Sequence, residues 1–325
     1  MRRKGVFRLQ LAATILFAVT AVLCGLCVML QNTVKSIFTN EPEVLNLFIV
    51  PVPVLLQAVF PLLPAFVFLI LCRFIRSQLA GWISVILLLT VFCAAMFFVF
   101  PPMVQSSMEE ANRKGIIYYM SYISIYWSIL YISRLLNGTG IILMIISMGG
   151  FISHGKPSKP ETGLITHTGA VLLQAVSVCI YGAALFICLN IQNHQDTFLN
   201  EINDSLIGRN VIPWNTLLQI LIMLGIGGIY LLAGFFRTTR RSSRITAAII
   251  TVLLCLASMV FVGIPMFVSY QYSLINDTEM LKAYSVIEGT VSEKTRILFG
   301  AASVLMFLSL GAFYGKASKR MAGRE

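Results

Sequence analysis

The sequence predicts an all-α, polytopic integral membrane protein. About eight transmembrane helices are expected, built as two parallel four-helix repeats (4+4), N-in/C-in. Three observations carry this reading. Hydrophobic residues make up 58% of the 325 residues and charged residues only 11%, whereas an average soluble domain is about a quarter charged. Apolar runs of about 20 residues, enough to cross a hydrocarbon core about 30 Å thick, recur along the whole chain. A series of uncommon residues also recurs at a nearly constant spacing of 160–163 positions.

Eight runs read as spans: 9–30, 45–72, 80–100, 135–153, 169–190, 214–236, 245–268 and 297–314. The first follows the basic start MRRKGVFR. No small-x-small cleavage site follows it, and Cys24 and Cys27 each follow a leucine, so it reads as a retained helix rather than a signal peptide. The second contains Pro51, Pro53, Pro61 and Pro64. Each proline removes a helix donor and clashes with the preceding turn, which predicts a kinked or locally unwound span. The sixth retains Pro213 at its start and carries GIGG at 225–228.

The repeat is legible in residues other than leucine. Pro51 and Gln57 match Pro213 and Gln219, and AAMFFVFPPM (94–103) faces ASMVFVGIPM (257–266). RLLNGTGIILMIISMGGF (134–151) faces RILFGAASVLMFLSLGAF (296–313), followed by GKPSK (155–159) against GKASK (315–319). The first spans match more weakly, through Cys27, Gln31 and Asn32 against Cys188, Gln192 and Asn193. Such self-similarity outranks readings made helix by helix. The aromatic run 116–133 therefore goes to the outer membrane surface, because its counterpart, 278–295, reads as a polar outer loop. The repeats occupy 1–153 and 169–325, with a Gly- and Pro-containing cytoplasmic linker at 154–168. Four spans per copy make the copies parallel, related by an axis along the membrane normal.

Charge sets the orientation, because Lys and Arg stay on the cytoplasmic side. With the N-terminus inside, the inner segments hold 16 basic residues, from Arg2 to Arg324, against Glu161 and Glu325. The other 11 acids fall in outer segments. The net charge of +11 is thus an inner-face bias toward anionic lipid, not a sign of nucleic acid. The expected location is the cell (plasma) membrane.

Little chemistry is expected within the bilayer. All 13 Asp and Glu are placed in loops or the tail, which argues against an ordinary proton- or sodium-coupled carrier. His154, His167 and His194 are scattered, the seven cysteines show no ligand spacing, and no catalytic motif is present. No catalytic residue, metal or cofactor is expected, and the reading leans away from an enzyme. The candidate pathway residues are Gln57, Gln219, Pro51 and Pro213, since buried amides and proline-freed carbonyls need partners in lipid. Arg134 and Arg296 stand at helix mouths, where they form a positive rim or snorkel to phosphate. Lys156, Lys159, Lys316 and Lys319 of the two GKxSK motifs are candidates for docking a cytoplasmic protein. Two functions follow. One is a permease or channel-like carrier of a small solute, with its pathway between the repeats. The other is a non-catalytic membrane subunit or scaffold, including an ABC-type transporter partner.

Overall fold

The computed structural model describes residues 3–37, 52–74, 77–113, 124–153, 165, 167–200, 206–235, 263–265, 267–268, 270–272, 275 and 277–322. Among them the secondary structure is all-helical. Seven stretches are long and apolar enough to cross a membrane: Gly5–Leu30, Pro53–Phe74, Gln78–Ser107, Ile132–Ile152, Thr168–Asn193, Trp214–Leu232 and Glu279–Ala312. The chain is a multi-pass integral membrane protein. The expected span at 245–268 lies almost wholly outside the described residues, as do Pro51, Lys156 and Lys159. The chain divides into two compact units, Met1–Ile152 and Ser153–Glu325.

The first unit contains α1 (Arg3–Ile37), α2 (Val52–Val59), α3 (Leu62–Phe74), α4 (Gln78–Ala94), a π-helical segment (Ala95–Val99), α5 (Phe100–Arg113) and α6 (Ser124–Ile152). Its core is the long contact of α1 with α6, with α3 laid against α1. Gly140 on α6 makes the approach possible. A β-carbon there would lie 2.7 Å from Cε1 of the fully buried Phe17.

The second span is broken, as its prolines predict. Pro61 has no N–H for the Gln57 carbonyl, and Pro64 has none for the Phe60 carbonyl. The Leu63 N–H bonds the Phe60 carbonyl instead (3.1 Å), and a turn at Phe60–Pro61 separates α2 from α3. The ring of Phe60 is set between Phe92 (6.5 Å, stacked) and Phe100 (5.3 Å, edge-on). A second irregularity precedes Pro101 and Pro102. The Phe100 N–H reaches back five residues to Ala95, and this widened turn absorbs the donors that the prolines lack.

The second unit contains α7 (His167–Asn193), α8 (Gln195–Asn200), α9 (Trp214–Phe235) and α10 (Thr278–Ala322). Helix α10 lies along α7, and α9 packs against α7 as well. With 45 residues, α10 is about 67 Å long at 1.5 Å per residue, twice the depth of the hydrocarbon core. Residues 278–295, expected to form a loop, are the first part of this helix. Their charges hide a stripe at four-residue steps, Ala283, Ile287 and Val291, all fully buried. The stripe packs on Cys188, Leu199, Leu206, Val211 and Leu217. The aromatic run expected at the membrane surface likewise passes from residue 124 onward into α6.

This end of the second unit is tied by polar contacts. The Gln195 amide donates to Asn210 (3.2 Å) and accepts from the Val211 N–H (2.9 Å). Gly208, at φ +81°, turns the chain so that its N–H meets Asp196 (3.0 Å). Asp277 caps α10 by accepting from the Glu279 and Met280 N–H groups at 2.9 and 3.1 Å. Arg209 bridges Asp277 (2.5 Å) and Glu279 (2.8 Å). The Met280 N–H and then the Arg209 guanidinium hold the Asp277 carboxyl below the ordinary range. Its folded pKa is depressed, so its contribution is complete above the unfolded value and is lost as pH falls through the folded one. In melting curves from about pH 6 to about pH 3, the acid-side loss of stability should be smaller in Asp277→Asn than in the unchanged protein. Equal loss in both would remove Asp277 from the acid response.

Candidate functional site

Two fully buried polar side chains of the first unit, Gln10 and Ser147, meet at one point. Gln10 on α1 is fully buried. Its Nε2 donates to the Ala65 carbonyl on α3 (2.8 Å), and its Oε1 accepts from Ser147 Oγ on α6 (2.5 Å). Ser147 also lies 2.8 Å from the Met144 carbonyl. One amide thus joins three helices, as an apolar surround requires of a buried polar side chain. Phe17, two turns along α1, fills the space against Gly140.

In the second unit the 1%-exposed Gln174 on α7 donates through Nε2 to the Gly227 carbonyl on α9 (3.0 Å). Here glycine is required by proximity: a β-carbon at 227 would lie 3.1 Å from Val178 Cγ2 and 3.3 Å from Gln174 Nε2. Further along α7, Ser177 Oγ donates to the Ala302 carbonyl (2.7 Å), and the Tyr181 and Ser303 hydroxyls are 2.7 Å apart. Among the described residues, Gln174 Oε1 and the buried Ser309 Oγ have no hydrogen-bond partner.

The start of α9 forms a third polar cluster. Pro213 is buried and its carbonyl accepts the first helical bond, from Leu217 (2.9 Å). The next free donors are answered by Glu288 of α10, which accepts from the Thr216 N–H at 2.9 Å and from the Thr216 hydroxyl. Tyr284 Oη donates to its other oxygen (3.3 Å) and stacks on Tyr272. A carboxylate at a helix N-terminus is favoured by the helix dipole. Glu288 is therefore not a loop acid, as the sequence reading had it. It is held half-buried where the span Trp214–Leu232 begins. Glu288→Gln replaces one acceptor oxygen by a donor facing donors, and a loss of about 1–3 kcal/mol is expected. Thermal unfolding of the purified variant checks this, and an unchanged melting temperature would show that Glu288 does not secure α9.

The residues singled out from sequence fall in both units. Gln57 is half-buried on α2, in the first unit. Gln219 is half-buried on α9, in the second, and donates to Asn215 on its own helix (3.1 Å). Arg134 and Arg296 are exposed on α6 and α10. Lys316 and Lys319 lie on the backbone of α10 near its C-terminal end. The candidate residues read from sequence include neither Gln10 nor Gln174. Each stands near the start of an apolar run, preceded by leucine and, five positions back, by glycine (Gly5 and Gly169). That context was the available signal.

Among the described residues no three His, Cys, Asp or Glu side chains are placed to hold a metal ion. The chain matches no protein-family model, no curated protein and no solved structure. The fold and its composition define a class, a helical multi-pass membrane protein, and nothing narrower.

Proposed function

We propose that the chain is a duplicated 4+4 membrane protein, with both termini and the linker 154–168 in the cytoplasm. We propose further that it acts as a permease or channel-like carrier for a small solute, with its pathway between the repeats. Burial supports the duplication. The buried positions 6, 10, 13, 17, 20, 24 and 27 of α1 recur 164 residues later as 170, 174, 177, 181, 184, 188 and 191 of α7. Positions 61, 64, 65 and 68 recur 162 later as 223, 226, 227 and 230. This register runs a few residues off the 161 read from Cys27, Gln31 and Asn32, and it pairs Cys188 with Cys24. The crossing expected at 245–268 lies almost wholly outside the described residues.

The single observation that carries the transport reading is the break at Phe60–Pro61. Irregular backbone at membrane depth is tolerated where it faces protein or water, and Gln57 stands one turn before it. The test is flux into vesicles holding the purified protein. Gln57→Ala and Gln219→Ala are each expected to lower entry of a small uncharged solute several-fold without lowering expression. Unchanged flux in both would end the proposed site.

One observation favours the subunit reading. The third span, Gln78–Ser107, is the one least covered by its own chain, with 17% of its apolar window buried. Lipid or a partner helix would cover the rest, while the GKxSK lysines dock a cytoplasmic protein. A stoichiometric companion in the mass of the protein extracted in mild detergent would support this reading in place of the first.

A further inference from the structure

Equivalent interiors of the two units differ in where they carry hydroxyls. Resting on the duplication above, Ala13, Phe17, Phe68 and Ile141 of the first unit correspond to Ser177, Tyr181, Tyr230 and Ser303 of the second. Each of these four replacements adds a hydroxyl, while the buried Thr14 and Thr20 of the first unit give way to Val178 and Ala184. All four hydroxylated residues are buried. The two constant members of the joint, Gln10 with Ser147 and Gln174 with Ser309, also differ in state. In the first unit the Ser147 hydroxyl closes on the Gln10 carbonyl oxygen at 2.5 Å. In the second, Gln174 Oε1 and Ser309 Oγ are both buried, and neither has a partner among the described residues.

A buried polar atom without a partner loses its full hydration. The first unit also has two such atoms, Ser133 Oγ and Asn137 Oδ1, but there the equivalent glutamine and serine close on each other. We infer that the interior of the second unit, between α7, α9 and α10, is a binding site for a small uncharged solute with an N–H or O–H donor beside an acceptor oxygen. The donor would meet Gln174 Oε1, and Ser309 Oγ would serve the acceptor. Tyr181, Ser303 and Ser177 extend the polar surface along α7 and α10. The solute is uncharged because none of these side chains is ionised at neutral pH and none supplies a counter-charge. The first unit, with phenylalanine at 17 and 68 and its serine already closed, is the structural copy.

Ser309→Ala is the cleanest variant, since it removes a hydroxyl that makes no bond through Oγ within the described chain. Its control is Ser147→Ala at the equivalent position. The full-length protein in detergent would be titrated with acetamide and, separately, with glycerol, following melting temperature. A saturable rise with at least one probe is expected. It should be abolished in Ser309→Ala, weakened in Gln174→Leu and kept in Ser147→Ala. No saturable rise with either probe, or a rise that Ser309→Ala leaves intact, overturns the site. A lower melting temperature in Ser309→Ala without any probe effect also overturns it, because the atoms would then hold structural water only. Binding without vesicle flux would keep this site and remove the carrier reading. Flux without binding would do the reverse.

Discussion

Gly140→Ala is expected to destabilise the first unit by about 1–3 kcal/mol, the range for overpacking a filled core. The added carbon would sit 2.7, 3.0 and 3.1 Å from three ring atoms of Phe17. That ring is wholly buried, so it has no free direction in which to yield, and α1 must move away from α6. Two companions make the result specific. Phe17→Leu in the Gly140→Ala background removes the colliding ring edge and should restore part of the loss. Gly138→Ala, where a β-carbon meets nothing within 4 Å, should be neutral or stabilising, because alanine is the better helix former by up to about 1 kcal/mol. Thermal unfolding in one detergent checks all three. Equal effects at 138 and 140 would mean that the α1–α6 contact is not set by this glycine.

Gln10→Leu is expected to cost about 1–3 kcal/mol, and Gln219→Leu close to nothing. Gln10 makes two bonds to other helices, through Ala65 and Ser147, and interhelical hydrogen bonds in membranes contribute about 0.6 kcal/mol each on average, up to about 1.7. Removing it also leaves the Ala65 carbonyl with one acceptor site unused, while Ser147 retains the Met144 carbonyl. The bond of Gln219 is to Asn215 on its own helix, so no pair of helices is held by it. A loss of stability at Gln219 equal to that at Gln10 would contradict this division. The contrast also separates roles: Gln219 belongs to the proposed pathway and Gln10 to the scaffold.

The membrane class was legible in the sequence because twenty apolar residues have few other uses. So was the break in the second span, because proline chemistry is local and the missing donors of Pro61 and Pro64 act within one turn. The first part of α10 was not legible. Glu279, Lys282, Glu288, Glu293 and Lys294 dominate its composition, and the stripe of Ala283, Ile287 and Val291 is only one residue wide. Reading that stretch as a loop also misplaced Glu288. The glutamines show a different limit. Proline spacing drew attention to Gln57 and Gln219, but burial depends on which face of a helix meets its neighbour. Only the packed register shows that Gln10 and Gln174, 164 positions apart, are the amides that join helices.

The proposed parallel arrangement of the two copies requires the linker 154–168 to share the side of the N-terminus. A membrane-impermeant thiol reagent applied to intact cells tests this directly, with the unsubstituted protein as the blank. Ile207→Cys, at an exposed position in the turn before α9, is expected to label in intact cells. Lys156→Cys is expected to label only after permeabilisation. Labelling of Lys156→Cys in intact cells would mean an odd number of crossings in the first copy, and the parallel 4+4 arrangement would be wrong.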